Sequence, residues 1–253
     1  MTLFANAKFL KNKTAIITGA NRGIGKAICE TFLDHGAHVI GCVRNQNDIT
    51  KQWQQEAELA GAKLSLINLD LSDEPSIKDS IKKIRQISKE VDILVNCAGI
   101  ADGAVFQMTS LKRMREIFEV NLFNQISLCQ GVSRLMARQK SGVIVNISSS
   151  TSHVIDHGTM AYGTSKAAFE RVTLSMAVEL AAQGIRVNGI APGVTDTDMA
   201  EEMDPQAKEK LLEKSLLKSI ASPYDIANSA LFLCSELSSH ITGQIINVDG
   251  GII

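Results

Sequence analysis

The sequence lacks the features of several large classes of protein. Its formal net charge is −1, and acidic and basic side chains are interspersed, so no basic stripe indicates nucleic acid or an anionic membrane as a partner. No uninterrupted apolar run is long enough to span a bilayer. The start, Met1 to Lys13, lacks the charged head, apolar middle and small-residue cleavage site of a secretory signal. These absences predict a cytoplasmic protein.

Cysteine and histidine are sparse and follow no chemical motif. The five cysteines lie far apart, with no C-x-x-C pair and no metal-ligand spacing, which predicts reduced structural thiols. The five histidines form no H-E-x-x-H or comparable cluster, so no metal site is predicted. No linker rich in proline, glycine and serine divides the chain, and there is no internal repeat. We therefore expect residues 1–253 to form one domain.

What the sequence does contain is an alternation of short apolar runs and longer amphipathic stretches. The strand candidates are Thr14–Thr18, His38–Val43, Lys63–Leu69, Asp92–Asn96, Val143–Ser148, Arg186–Ala191 and Gln244–Val248. Helical segments are expected near residues 23–35, 48–60, 74–89, 110–138, 160–183 and 223–236. The strand candidates are largely continuous in apolar character, which is typical of parallel strands buried on both faces. The pattern predicts an α/β fold, a Rossmann-like doubly wound parallel sheet of about seven strands with helices on both faces.

One late segment, residues 195–223, departs from this alternation. It is polar, contains Pro205, and carries an amphipathic stretch between two sheet elements. Ligands of doubly wound sheets bind at the carboxyl ends of the strands, so an insertion here is suited to act as a substrate lid. The alternative is a surface helical hairpin without such a role.

A glycine-rich turn follows the first strand candidate directly. It reads Thr18-Gly19-Ala20-Asn21-Arg22-Gly23-Ile24-Gly25, and a helix is expected after it. Glycine permits a tight turn and close approach of the backbone to a phosphate, and a helix start offers free N–H groups and a positive dipole end. Placed between a first strand and a first helix, the turn predicts a nucleotide site.

A tyrosine and a lysine at i, i+4 follow a strand candidate that ends in serines. Tyr162 and Lys166 would project from the same face of a helix, where the lysine ammonium favours the phenolate form of the tyrosine. Ser148, Ser149 and Ser150 are adjacent, and strand alternation would turn the neighbours of Ser149 away from the site. The pattern suits proton exchange with a carbonyl oxygen.

Together these motifs resemble the short-chain dehydrogenase/reductase family. The turn spacing G-x-x-x-G-x-G is similar to that family's cofactor turn, and Asn96-Cys97-Ala98-Gly99, Asn121, Ala191-Pro192-Gly193 and the tail Asp249-Gly250-Gly251 match in order and spacing. Cys97 departs from the family, which often has a second asparagine there. The resemblance covers essentially the whole chain, and within the family it is greatest to bacterial 3-oxoacyl-(acyl carrier protein) reductases.

The resemblance implies roles for individual residues. Tyr162 would be the general acid, Lys166 would tune it and hold the nicotinamide ribose, Ser149 would polarise the substrate carbonyl, and Asn121 would support a water in a proton path. The cofactor contacts implied are Thr18, Gly19, Asn21, Arg22, Gly23, Ile24, Gly25, Arg44, Asp70, Leu71, Asn96, Ala98, Gly99, Tyr162, Lys166, Pro192, Gly193, Thr195 and Thr197. Of these, Asp70 would bond the adenine and Pro192 and Gly193 would contact the nicotinamide.

Charge at the end of the second strand candidate distinguishes the two nicotinamide cofactors. NAD enzymes usually place an acidic side chain there, which accepts from the ribose hydroxyls. This chain has Arg44 and no carboxylate before Asp48. Arg44, helped by Arg22, is suited to pair with a 2′-phosphate, which predicts NADP(H). The alternative is that both arginines are merely solvated.

The leading functional prediction is an NADPH-dependent reductase that converts a 3-oxoacyl thioester to the 3-hydroxyacyl thioester. A second reading keeps this chemistry with a sugar, polyol, steroid-like ketone or other small substrate. A third reading, from a different class, is a non-catalytic NADP-binding sensor. Loss of the tyrosine or lysine would favour the third reading, and both residues are present.

Two further expectations come from the resemblance. Acyl carrier protein is acidic, and its reductases commonly offer arginines near the mouth of the site, where this chain has Lys140 and Gln183. Lysine cannot bond bidentately as arginine does, and glutamine has no charge, so we expect the carrier to dock more weakly here than on those reductases. The helices near 110–138 and 160–183 and the last strand are the family's usual interfaces, which implies a homotetramer.

Overall fold

The sheet of this computed structural model is parallel throughout and confirms the predicted fold class. The structure describes residues 8–201, 203 and 205–252, and within these ranges seven strands form one sheet in the order β3-β2-β1-β4-β5-β6-β7. The strands are β1 Thr14–Thr18, β2 His38–Val43, β3 Lys63–Asn68, β4 Ile93–Asn96, β5 Gly142–Ile147, β6 Ile185–Pro192 and β7 Ile245–Val248. Each lies within about two residues of its predicted bounds.

Helices cover both faces of the sheet. They are α1 Gly23–Asp34, α2 Asp48–Leu59, α3 Glu74–Ile87, α4 Leu111–Phe118, α5 Asn124–Gln139, α6 Met160–Leu180, α7 Asp198–Glu201, α8 Pro205–Lys214 and α9 Pro223–Cys234. One buried cluster includes Ile28 of α1 and Ile226 of α9, and a second includes Ile84 of α3 and Leu128 of α5. None of the helices in the described ranges is long and apolar enough to cross a membrane.

Side-chain caps explain where several helices begin. Asn47 accepts from the Thr50 backbone at 3.0 Å in a capping box before α2, and Ser222 forms a capping box with Asp225 before α9. Asp73 accepts from the Ser76 backbone at 3.2 Å before α3. Because every pair of neighbouring strands is parallel, the carboxyl ends of all seven strands lie at the same edge of the sheet. Ligands bind at this edge, where the strand order reverses between β1 and β4.

The helix predicted over 110–138 is interrupted. A π-helical turn, Glu119–Phe123, separates α4 from α5 and holds Asn121, which is fully buried. A π-turn inserts one residue into the helical path and is frequent at functional sites. The segment predicted near 110–138 is therefore helical, but it is not one regular α-helix at Asn121.

Candidate functional site

The glycine turn is shaped by close backbone contacts. The Thr18 hydroxyl accepts from the backbone N–H groups of Cys97 and Ala98, both at 3.0 Å, and so joins the end of β1 to the end of β4. Gly19 has φ +69°, and a Cβ there would lie 3.0 Å from the Ala98 Cα. A Cβ at Gly25 would lie 2.2 Å from the Gly19 carbonyl oxygen. The turn therefore requires glycine at both positions.

The start of α1 fits an anionic group. Its N-cap residue, Arg22, has extended backbone and no side-chain cap hydrogen bond, so the first N–H groups of the helix have no capping acceptor from it. Asn21 is exposed beside them, and Ile24 packs partly against the core. A dinucleotide pyrophosphate supplies the negative charge and acceptors that such a helix start favours. The residues present therefore fit a nicotinamide dinucleotide, with Gly19, Gly23 and Gly25 as its cradle.

The residues predicted for the adenosine side lie at the ends of β2 and β3. Arg44 is exposed directly after β2. Asp70 accepts from the Ser72 hydroxyl at 2.7 Å and from the Ser72 backbone at 2.8 Å; these hydrogen bonds, helped by the Arg44 charge, hold the Asp70 pKa below its ordinary value. Leu71 is buried, and its carbonyl accepts from Asn124 at 2.8 Å. The side chain of Leu71 thus serves the core.

Arg22 has an ion-pair partner that the sequence did not reveal. Its guanidinium lies 3.0 Å from the Asp198 carboxylate, and both side chains are more than half exposed. Thr197, next to this aspartate, packs against Gly23, where a Cβ would lie 3.1 Å from the threonine methyl carbon. The glycine turn and the start of segment 195–223 are therefore in contact across the site. The two residues are 176 positions apart in the sequence, so no local pattern could have predicted this pair.

Asn96 points into the core rather than toward the site. Its amide donates to the Asn146 side chain at 2.8 Å and to the Cys129 sulfur at 3.1 Å, and the side chain is buried. This agrees with the expectation that contacts along Asn96-Cys97-Ala98-Gly99 are largely with the backbone. The asparagine joins β4 to β5.

Asn121 and Lys166 border the same small space. A Cβ on Gly99 would lie 3.2 Å from the Asn121 Oδ1 and 3.5 Å from the Lys166 Nζ. Asn121 accepts from the Ile100 N–H at 2.9 Å and donates to the Ile100 carbonyl at 2.8 Å and to Ser165 at 3.1 Å. The π-helical turn therefore directs this asparagine onto the loop after β4 and onto α6 together.

The three adjacent serines have different environments. Ser148 donates to the Glu170 carboxylate at 2.6 Å, and the Ser150 side chain is 3% exposed. The Ser149 oxygen accepts from the Thr151 N–H at 3.2 Å and from the Thr151 hydroxyl at 2.9 Å. Burial raises the Tyr162 pKa, and the Ser149 side chain opposes that rise. Among the described residues, Ser149 is the one of the three serines whose side chain acts on the pKa of this tyrosine.

Lys166 is buried at the base of the site and bonded to the sheet. Its ammonium donates to the Ile147 carbonyl at 2.8 Å and lies 5.8 Å from the centre of the Tyr162 ring. Burial lowers the Lys166 pKa to about 8 and raises the Tyr162 pKa to about 12. Burial of Tyr162 therefore outweighs the lowering of its pKa that the sequence predicted. A tyrosine with this pKa keeps its phenolic proton at neutral pH.

Consecutive hydrogen bonds hold the turn that follows β6. Pro192 is buried at the end of the strand, and the Gly193 N–H donates to the Val248 carbonyl at 3.0 Å. The Thr195 hydroxyl donates to the Gly193 carbonyl at 3.1 Å, and the Thr197 hydroxyl donates to the Thr195 carbonyl at 3.2 Å. Both threonine hydroxyls therefore stabilise the turn, which brings Pro192 and Gly193 to the same edge as Tyr162.

Segment 195–223 is closed at its base and tied to the loop before α6. Thr195 and Ala221 form a parallel bridge, and α7 and α8 lie between them. Lys214 at the end of α8 forms an ion pair with Asp156 at 3.5 Å. The segment therefore spans from the Gly193 turn to the Tyr162 loop, a placement that a lid requires.

Lys140 and Gln183 do not lie at the mouth of this chain's own site. Lys140 precedes β5 and Gln183 precedes β6, so both stand at the amino-terminal edge of the sheet. The two are close to each other, because a Cβ on Gly184 would lie 2.2 Å from the Lys140 carbonyl oxygen. Tyr162 lies at the opposite, carboxyl-terminal edge. The expectation that Lys140 and Gln183 lie near the mouth of the site, where acyl carrier protein would dock, was therefore wrong within a single chain.

Comparison with known proteins agrees with this geometry. The family profile described as "Enoyl-(Acyl carrier protein) reductase" matches residues 19–253. The 3-oxoacyl-[acyl-carrier-protein] reductase FabG of Aquifex aeolicus is 37% identical over 243 residues, which are 96% of this chain and 98% of the relative.

Two solved structures share the fold over nearly their whole length. A 7α-hydroxysteroid dehydrogenase, complexed with NADH and 7-oxo glycochenodeoxycholic acid, has a TM-score of 0.92 and 34% identity over 100% of this chain and 98% of that one. A putative NAD(P)-dependent gluconate 5-dehydrogenase from Beutenbergia cavernae, with bound NADP, has a TM-score of 0.89 and 33% identity over 96% and 97%. These relatives share a reaction type and differ in substrate.

Proposed function

Since the chain belongs to the short-chain dehydrogenase/reductase family and is an oxidoreductase acting on CH–OH and C=O groups, we propose that it reduces a 3-oxoacyl thioester to the 3-hydroxyacyl thioester with NADPH. The observation that supports this most directly is the convergence of Ser149, Tyr162, Lys166 and Asn121 at the carboxyl edge of the sheet, beside the glycine turn. The 3-oxoacyl substrate is favoured by the 37% identity to the Aquifex reductase.

The chain's own residues would handle the carbonyl oxygen. When bound, NADPH supplies the hydride that adds to the carbonyl carbon. Ser149 donates a hydrogen bond to the carbonyl oxygen and orients it. Tyr162 then gives its phenolic proton to that oxygen as negative charge develops there, and the product is a neutral alcohol. A tyrosine whose pKa is raised to about 12 is protonated before each turnover.

Lys166 and Asn121 would return the proton to the tyrosine. The Lys166 ammonium lies close enough to the Tyr162 ring to stabilise the phenolate that the transfer leaves behind. Asn121 borders the same space at Gly99, and we assign to it the support of a water between this lysine and solvent. Its three hydrogen bonds to Ile100 and Ser165 keep that support rigid.

The proposed cofactor contacts place the adenosine near Arg44 and Asp70 and the pyrophosphate at the start of α1. The preference for NADPH rests on Arg44, because Arg22 already pairs with Asp198. The exposed Arg44 guanidinium forms no ion pair with the carboxylates of the described residues, although its charge lowers the Asp70 pKa. A 2′-phosphate offers it a bidentate partner.

We expect Arg44→Asp to weaken NADPH binding by about thirtyfold, the equivalent of about 2 kcal/mol for a charged hydrogen bond. NADH, which has no 2′-phosphate, should bind as before or more tightly. Cofactor fluorescence titration measures both dissociation constants. Arg85→Asp, the same charge change at an exposed position on α3, is the control. An unchanged preference in Arg44→Asp would show that another residue holds the phosphate.

The buried lysine predicts a pH dependence. Because burial lowers the Lys166 pKa to about 8, the ammonium is present below that pH and is lost above it. We expect kcat/KM for NADPH, which reports ionisations of the free enzyme, to fall about tenfold per pH unit above pH 8. Steady-state rates from pH 6 to 9.5 test this. Lys140→Met should leave the profile unchanged, and a flat profile in the unmodified protein would contradict the role of Lys166.

The substrate is tested by NADPH oxidation with a short 3-oxoacyl thioester, followed by absorbance beside a no-substrate control. Rapid turnover is the expected result. No turnover with bound NADPH would shift the proposal to another carbonyl compound, and a keto-steroid and a keto-gluconate are the next substrates to assay. These follow from the 7α-hydroxysteroid dehydrogenase and the gluconate dehydrogenase that share the fold.

We further propose that segment 195–223 acts as a substrate lid and that the protein is a homotetramer that acts in fatty acid biosynthesis in the cytoplasm. The support for the lid is its contacts with Gly23 and Asp156 on two sides of the site.

Docking of acyl carrier protein onto Lys140 and Gln183 would require a neighbouring subunit, since both lie at the edge away from Tyr162. Size-exclusion chromatography with light scattering tests the tetramer.

A further inference from the structure

Glu170 holds both sides of the serine segment that contains Ser149. Its Oε1 accepts from the Ser148 hydroxyl at 2.6 Å and from the Ser152 hydroxyl at 2.6 Å. Ser148 and Ser152 lie one residue before and three residues after Ser149. Hydrogen bonds from hydroxyls to a carboxylate at this length are strong, charge-assisted bonds. One carboxylate oxygen therefore closes the segment into a loop.

The loop is closed onto the helix that holds the other reacting groups. Glu170 lies on α6, four residues after Lys166 and eight after Tyr162, so these residues share a face of the helix. The far side of the segment is fixed to the sheet, where the Ser148 N–H donates to the Ile190 carbonyl at 2.7 Å. Glu170 thus joins the segment that contains Ser149 to the helix that carries Tyr162.

The negative charge of Glu170 also acts on the Lys166 ammonium. Burial lowers the lysine pKa, and the negative charge of Glu170 opposes that lowering. Two further titratable groups of the described chain lie on this side of the segment. The His153 Nδ1 lies 3.2 Å from the Ser152 hydroxyl, and Asp249 lies 4.0 Å from the His153 Nε2. Of these groups, only Glu170 is both bonded to the serine segment and among the residues that act on the lysine charge.

We propose that Glu170 is a positioning residue, which fixes Ser149 against Tyr162 through two serine hydroxyls and supports the ammonium form of Lys166. This role rests on the ketone reduction proposed above. Two separable consequences follow, because the hydrogen bonds need only an acceptor oxygen while the support of the ammonium needs a negative charge.

Two substitutions separate the acceptor from the charge. Glu170→Gln keeps an Oε1 that accepts from both serines and removes the charge. We expect its plateau kcat to stay within threefold of the unmodified protein, while the alkaline limb of kcat/KM moves to lower pH. Glu170→Ala removes both, and we expect kcat to fall at least tenfold with KM for NADPH unchanged. Glu179→Gln, an exposed glutamate on the same helix, should change neither quantity.

The serines give an independent check. The double variant Ser148→Ala with Ser152→Ala should lose as much kcat as Glu170→Ala but keep the alkaline limb near its original pH, since the carboxylate remains. The proposal is overturned if Glu170→Ala folds and keeps kcat within twofold, or if Glu170→Gln leaves the alkaline limb where it was. A purely structural role would lower thermal stability without moving that limb.

Hydrogen exchange tests the positioning without any substrate. Backbone amides of residues 151–154 should exchange faster in Glu170→Ala than in the unmodified protein, and Glu170→Gln should resemble the latter. Equal exchange in all three proteins would refute the positioning role. If the unmodified protein reduces no ketone, the proposed function fails, and the exchange result still decides whether Glu170 holds the segment.

Discussion

Tyr162→Phe is expected to reduce kcat by about 10²- to 10⁴-fold, the usual contribution of a general acid, while NADPH binds with an unchanged dissociation constant. The substitution removes only the hydroxyl that donates the proton, and the ring keeps its place beside Lys166. NADPH oxidation and cofactor fluorescence, measured on the same preparation, separate loss of chemistry from loss of binding.

The chain supplies a matched control for this substitution. Tyr224 is the second of its two tyrosines; it is exposed on α9 and donates to Glu30 at 2.7 Å, away from Ser149. Tyr224→Phe should retain full activity. Reduction that persists in Tyr162→Phe would refute the acid assignment. An unmodified protein that binds NADPH and reduces no carbonyl compound would instead favour the sensor function.

Gly25→Ala is expected to weaken NADPH binding by up to about a hundredfold, the equivalent of about 3 kcal/mol, the upper range for overpacking. The added Cβ would lie 2.2 Å from the Gly19 carbonyl oxygen, and this neighbour is backbone, which cannot rotate aside. The turn must therefore open, and the N–H groups at the start of α1 then point away from the pyrophosphate.

The control for this substitution is Gly103→Ala, because a Cβ on Gly103 meets nothing within 4 Å. Both variants exchange glycine for alanine, so a difference between them reports the contact at Gly19 alone. Thermal unfolding distinguishes a local change of the turn from loss of the fold. NADPH bound by a folded Gly25→Ala protein with unchanged affinity would show that the pyrophosphate does not use this turn.

The strands were predictable because the physics that forms them is local and repeated. Parallel strands covered on both faces need nearly continuous apolar side chains, and β1 is buried at all five positions. The break between α4 and α5 had no comparable signal. The π-helical turn depends on hydrogen bonds from Asn121 to Ile100 and Ser165, which lie far along the chain. Local patterning cannot encode such partners.

The same distinction applies to the site. Tyr162 and Lys166 were predictable as a pair because four residues of α-helix bring them to one face. The pKa shifts were not, because burial comes from residues of many elements. Glu170 had the same i, i+4 spacing from Lys166, but its role depends on the path of the Ser148–Ser152 segment. The position of Lys140 was predictable. It directly precedes the β5 strand candidate, which places it at the amino-terminal edge of a parallel sheet, away from Tyr162.

The π-helical turn at Glu119–Phe123 restricts how this protein can change. A π-turn accommodates one residue more than a regular helical turn, so deleting one residue from it would restore regular α-helical bonding between α4 and α5. The more regular helix would displace Asn121 from Ile100 and Lys166. A regular α-helix at this point would therefore cost the protein the position of Asn121. We expect chains with one residue deleted from this turn to fold but to be inactive.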